Sequence, residues 1–137
     1  MISNSEWEVM RIIWTLENVG SSEIIKILSE KKQWSPSTIK TLISRLVDKK
    51  LISYRKVSNK NIYYSNFTEK DGVFSIISDV LNKVCSKKIP NILEIIVENT
   101  EMSKKDIAQL EKILKKKILT APETVKCNCV AGQCMCK

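Results

Sequence analysis

Trp34-Ser35-Pro36-Ser37-Thr38-Ile39-Lys40-Thr41-Leu42-Ile43-Ser44-Arg45-Leu46-Val47-Asp48 is the stretch on which the fold turns. Ser35 followed by Pro36 reads as a helix start: the hydroxyl caps open N–H groups, and proline, which lacks one, suits the first helical position. Ile39, Leu42, Ile43, Leu46 and Val47 then recur at i, i+3, i+4, i+7 and i+8, one apolar stripe on a helix over residues 36–49. The opposite side carries Ser37, Thr41, Ser44 and Asp48, with Thr38, Lys40 and Arg45 beside it. Small hydroxyl residues let a helix approach base edges closely while Lys and Arg hold phosphates. Ser37, Thr38, Lys40, Thr41, Ser44 and Arg45 are therefore candidate DNA-binding residues.

The flanking sequence supports that reading. Upstream, Ser3 or Ser5 can cap a helix bearing Trp7, Met10, Ile13 and Trp14, widened by Val9, Ile12 and Leu16. Gly20 and Ser21 interrupt it. Ser21 or Ser22 then caps a second helix that buries Ile24, Ile25, Ile27 and Leu28. Downstream, Leu51–Val57 and Ile62–Ser65 are β-prone runs joined by a turn at Ser58-Asn59-Lys60-Asn61. Lys56 and Lys60 near its tip are placed to touch a DNA backbone or minor groove. Helix, helix, recognition helix and basic hairpin make a winged helix-turn-helix over residues 1–67.

Residues 68–119 read as three more helices. Thr68 to Asp71 resembles a capping box, Pro90 stands near the start of the middle helix and Ser103 caps the last. Phe74, Ile77, Leu81, Ile92, Leu93, Ile96, Leu110, Ile113 and Leu114 carry more aliphatic surface than about fifty residues can bury alone. A second copy would cover it, so a homodimer is expected. The fold class is mainly α with a small β wing: a DNA-binding domain, a helical dimerisation domain and, over residues 120–137, a linker and a cysteine-rich tail.

Composition narrows the function. The chain has 137 residues, a formal net charge of +8 and 43% hydrophobic residues. A basic surface suits nucleic acid or an anionic membrane. With no histidine, three glycines and no nucleophile–base motif, an enzyme is not expected. No apolar run is long enough for a membrane helix. Met1-Ile2-Ser3-Asn4 lacks the features of a secretory signal, so a cytoplasmic protein with reduced thiols is expected.

Four of the five cysteines, Cys127, Cys129, Cys134 and Cys136, lie near the C-terminus as C-x-C-x4-C-x-C, on a segment too short and polar to bury anything. Without imidazole, an all-thiolate metal site is the reading this cluster favours over a disulfide-linked tail or an unstructured, oxidation-prone one. Four thiolates can hold one tetrahedral Zn(II). The C-x-C pairs, each placing two sulfurs on one face of an extended strand, also suit low-coordinate Cu(I). Cys85, set among Leu81, Val84 and Ile89, reads instead as a small buried hydrophobe.

Ile2-Ser3, Glu6 to Met10, Ile13-Trp14, Glu23 to Ile25, Trp34-Ser35, Thr38 to Leu42 and Arg45 to Val47 together resemble the BlaI/MecI/CopY transcriptional repressors. The likeness covers nearly the whole chain, and its run from Trp34 to Val47 is specific. The tail resembles the CopY branch of copper-responsive repressors; the penicillinase-repressor branch lacks it, so that branch's proteolytic switch is not carried over. The resemblance implies a homodimer on an inverted-repeat operator with TACA-type half-sites. It further implies repression of a copper-export operon in the zinc form and release when Cu(I), delivered by a small copper chaperone, occupies the tail. Two alternatives stand beside it: a winged-helix repressor sensing zinc, cadmium or silver, and a copper-buffering interaction protein. The chain departs from relatives at two positions. Asn59-Lys60 replaces a Gly-Arg common in the wing, and Lys50 replaces the glycine that often follows the recognition helix. A left-handed helix stop at Lys50 would cost more than one at glycine.

Overall fold

In a computed structural model, residues 1–135 are described; Cys136, named above as a metal ligand, lies outside them. The chain divides into two compact units, Met1–Ser75 and Ile76–Lys137.

The first unit begins with α1 (Asn4–Leu16), followed by β1 (Val19–Gly20), α2 (Ser21–Lys32), α3 (Pro36–Asp48), β2 (Ile52–Val57) and β3 (Lys60–Ser65). Ser3 caps α1 through a reciprocal pair with Glu6: its Oγ accepts from the Glu6 N–H, and the Glu6 carboxylate accepts from the Ser3 N–H. Ser35 caps α3 by accepting from the Thr38 N–H, with Pro36 at the start as expected. The apolar stripes meet in one core of Val9, Met10, Ile12, Ile13, Val19, Ile24, Leu28, Ile39, Leu42, Ile43, Leu46 and Ile52. Ile25, Ile27, Trp34 and Val47 pack against it, partly buried.

Two local expectations change. Neither Ser21 nor Ser22 caps α2. Gly20 holds that position without a side-chain bond, because its backbone is extended as part of β1 and pairs opposite Ile62 of β3. The hairpin turn is Ser58-Asn59 alone; Lys60 is already in β3, opposite Val57, and Asn61 is opposite Lys56. Ser58 and Asn59 lie at φ 50° and 65°, the doubly left-handed two-residue turn whose twist matches that of antiparallel strands. β3 is the central strand, in the order β1-β3-β2.

Two polar ties close this unit. Glu6 is buried and meets Lys49 Nζ at 2.8 and 2.9 Å, joining the start of α1 to the residue that ends α3. Burial pushes its carboxyl up, but hydrogen bonds from Lys49 and Ser3 outweigh burial and hold it below the ordinary carboxylate value. Trp14 Nε1 donates to Ser65 Oγ at 3.1 Å and to the Phe67 carbonyl at 3.0 Å. Trp7 and Phe67 stand edge-on to its ring.

From α4 (Glu69–Lys83) the chain continues through a 3₁₀ turn (Ser86–Lys88), α5 (Ile89–Asn99) and α6 (Lys104–Ile118). Thr68 Oγ1 accepts from the Asp71 N–H, and Ser103 forms a full capping box with Asp106. Of the residues in α4 only Gly72 is buried, and α5 and α6 bury none. Phe74, Ile77, Leu81, Leu93, Ile96, Leu110, Ile113 and Leu114 are all exposed within one chain. Ile92 is half-buried.

Candidate nucleic-acid interface and metal centre

The α3 stripe that fills the core turns the other face outward. Ser37, Thr38, Lys40, Thr41, Ser44 and Arg45 are all exposed. Hydroxyl contacts tie the N-terminal end: Ser35 Oγ meets Thr38 Oγ1 at 2.9 Å, and Thr41 Oγ1 donates back to the Ser37 carbonyl at 2.9 Å. The first turn carries no acidic residue. Its positive dipole end therefore favours a phosphate. Among the described residues the salt bridges of this unit engage Lys31, Lys32 and Lys49. Lys40, Arg45, Lys56 and Lys60 stay outside them.

Strand register sorts the wing. Lys56 lies opposite Asn61 and shares a face of the ribbon with Tyr54 and Tyr63, a cross-strand pair with ring centroids 5.9 Å apart. Lys60 lies opposite Val57, on the other face with Arg55. The two candidate lysines thus leave the ribbon in opposite directions. Between α3 and the hairpin runs a groove lined by Lys40, Ser44, Tyr54, Asn61 and Tyr63. Sequence reasoning passed over Tyr54, Asn61 and Arg55, whose places depend on register. Lys50 does adopt the costly left-handed conformation, at φ 62°. The Lys50 N–H bonds the Val47 carbonyl and the Leu51 N–H bonds the Leu46 carbonyl, closing α3.

In the second unit the tail cysteines converge on a partner from far upstream. The sulfurs of Cys85, Cys127, Cys129 and Cys134 all lie within 4.8 Å of one another. Cys127 Sγ is 3.5 Å from Cys85 Sγ and 3.1 Å from Cys134 Sγ. Cys85 is buried, as its apolar neighbours suggested, and its sulfur lies beside these thiols. The hydrogen bond with Cys134 is the first cause raising the Cys127 thiol, and it also leads in pushing Cys129 up to about 12. A second thiolate beside a first is disfavoured until a cation balances them, so a cation entering this cluster displaces protons. In a tetrahedral Zn(II) site with bonds of about 2.3 Å the sulfurs stand about 3.8 Å apart, so the four side chains fit such an ion with small adjustments. The cluster could hold a metal ion.

The penicillinase repressor family model matches residues 2–116. The chain belongs to that family. Its members are DNA-binding transcriptional repressors and not enzymes. The methicillin resistance regulatory protein MecI of Staphylococcus aureus is 37% identical over 116 residues, covering 85% of this chain and 94% of MecI. An uncharacterized 16.5 kDa protein of Latilactobacillus sakei is 38% identical over 136 residues, covering 99% of this chain and 93% of that protein. The Bacillus licheniformis BlaI structure in complex with the blaP half-operator is 38% identical, covers 52% of this chain and 87% of that chain, and superposes with a TM-score of 0.47. The family match ends before the cysteine tail, whereas the likeness to the Latilactobacillus protein runs on through most of it. No helix among the described residues is long and apolar enough to cross a membrane.

Proposed function

We propose that this repressor is copper-responsive and controls a copper-export operon. A homodimer in the zinc form holds inverted-repeat operator DNA and lets go when Cu(I) occupies the cysteines Cys127, Cys129, Cys134 and Cys136. The observation that carries the reading is the convergence of Cys127, Cys129 and Cys134 on one point in a chain without histidine. An all-thiolate donor set is soft and selects Cu(I) over harder ions. The proteolytic switch has no part in this reading. The family resemblance adds a small copper chaperone as the donor of Cu(I), and the cytoplasm as the place where operator and chaperone meet.

DNA recognition falls to α3 and the wing. Ser37, Thr38, Lys40, Thr41, Ser44 and Arg45 face the major groove, and Lys56 and Lys60 hold the backbone or minor groove beside it. The exposed apolar faces of α4, α5 and α6 support the dimer, because a second copy of the same helices would remove them from water. One zinc ion or two Cu(I) ions on four thiolates leave the same net charge. Coordination geometry, rather than repulsion from phosphate, therefore distinguishes the two states.

The test is a gel shift of the full chain on its own upstream DNA, titrated with Zn(II), Cu(I), Cd(II) and Ag(I). Zinc-loaded protein should bind, and Cu(I) should release it at the lowest free concentration. Replacing Cys127, Cys129, Cys134 and Cys136 with serine should remove the response to both metals, so that neither Zn(II) nor Cu(I) changes operator binding. Normal release of that variant by Cu(I) overturns the proposal, and stronger release by Cd(II) or Ag(I) replaces copper with that metal.

A further inference from the structure

We infer that Cys85 is a metal ligand of this repressor, a fourth sulfur that fastens the tail to the turn between α4 and α5. The inference rests on the metal-sensing reading of the tail and adds to it a residue outside the C-x-C-x4-C-x-C motif. Cys85 is 4% exposed, and its sulfur belongs to the group of four that lie within 4.8 Å of one another. It is separated by 42 residues from Cys127, whose sulfur is 3.5 Å away. No local chain geometry brings the two together.

The tail is seated on the same turn by groups that are not sulfur. The Ser86 N–H donates to Asn128 Oδ1 at 2.9 Å, and Ser86 Oγ donates to the Lys126 carbonyl at 2.5 Å. Asn128 lies between the two cysteines of the first C-x-C pair, so these bonds place Cys127 and Cys129 over Cys85. Asn82, Lys83, Val84 and Lys88 line the surrounding pocket together with Cys129 and Cys134. The site is thus built from two distant segments, with backbone and amide contacts holding the ligands in register, as supporting contacts commonly do around metal centres.

The ion's coordination number then decides whether Cys85 is used. A tetrahedral ion needs four sulfurs, and the set that converges, Cys85 with Cys127, Cys129 and Cys134, supplies them, which leaves Cys136 to serve the Cu(I) form alone. A two- or three-coordinate Cu(I) is satisfied by the tail cysteines alone. Zinc therefore adds a sulfur tie between the tail and the end of α4, where Ile77, Val80 and Leu81 continue the exposed apolar face, and Cu(I) releases that sulfur tie. This gives the tail a route to the dimerisation helices.

Co(II) titration of the full-length chain tests the inference, with Co(II) as the spectroscopic probe for a tetrahedral ion. Wild type should show four-thiolate charge-transfer absorbance. Cys85→Ser should lose about a quarter of that intensity and bind Zn(II) at least about tenfold more weakly, while keeping Cu(I) affinity within about threefold. Full charge-transfer intensity in Cys85→Ser overturns the inference and leaves the metal-sensing reading intact. A wild-type chain that binds none of Co(II), Zn(II) or Cu(I) overturns both. Circular dichroism checks that the variant folds. A second measurement needs no variant: diamide, which takes up the two protons and two electrons of a thiol pair, should join Cys85 to a tail cysteine in metal-free wild type, as mapped by peptide mass spectrometry. Stoichiometric Zn(II) should suppress that cross-link, and equal cross-linking with and without zinc counts against Cys85 as a ligand.

Discussion

Replacing Lys49 with methionine should destabilise the winged unit by about 2–3 kcal/mol at neutral pH, and most of that loss should vanish in acid. The Glu6 side chain is 3% exposed and accepts from Lys49 Nζ through both oxygens, with the Ser3 N–H as a further donor at 3.2 Å. Methionine keeps the packing of the stem but leaves a carboxylate in a nearly dry site with one donor. Breaking a buried pair in this way costs about 3–5 kcal/mol. The Lys49 side chain is 38% exposed, so water screens its end of the pair and the estimate falls to about 2–3 kcal/mol. The pH dependence follows from the sign of the shift. In the wild type Glu6 titrates below its ordinary value, so its contribution is present above the unfolded pKa and is lost as pH falls through the folded one. Without Lys49, burial dominates and the folded state prefers the neutral acid, so the variant gains relative to wild type as pH falls. Urea denaturation of both proteins at pH 7 and near pH 3.5, under reducing conditions, measures the difference. A gap of equal size at both pH values would refute the reasoning, because the lost stability would then be packing and not charge.

Lys50→Gly should raise stability by about 0.5–1 kcal/mol in the same assay, since glycine relieves the left-handed φ of 62° at the end of α3. Gly72→Ala should lower it by about 1–3 kcal/mol despite the better helix former, because the new Cβ would stand 2.9 Å from Trp14 Cη2 on a ring already held by Ser65 and Phe67. Arg45→Ala should weaken operator binding by about 1–3 kcal/mol in a fluorescence anisotropy titration; the same loss on unrelated DNA would make it a phosphate contact. Ile113→Glu should shift the chain from dimer to monomer in sedimentation equilibrium, and an unchanged dimer would remove α6 from the interface.

The parts of the fold that depend on neighbours in sequence are legible in the sequence alone. Ser35-Pro36 starts α3, Ser103 with Asp106 starts α6, and the spacing of Ile39, Leu42, Ile43 and Leu46 names the buried face, because caps and helical periodicity act within one or two turns. Where a partner from elsewhere intervenes, local signals misled. Ser21 and Ser22 have the chemistry of caps, yet pairing of Gly20 with β3 moved the helix start. The hairpin turn closed on Ser58-Asn59 because strand register extends to Lys60. The candidate site divides in the same way. The exposed face of α3 follows from its own periodicity, while the opposite directions of Lys56 and Lys60 follow from pairing.

By itself the sequence determined the winged helix-turn-helix, the apolar helices left without a cover, and an all-sulfur tail in a basic chain without histidine. These rest on composition and on contacts between near neighbours. Only the tertiary structure decided that Glu6 answers Lys49 and that Cys85 joins the tail cysteines. Both depend on closing loops of about forty residues, and no pattern in the intervening chain encodes where such a loop will meet.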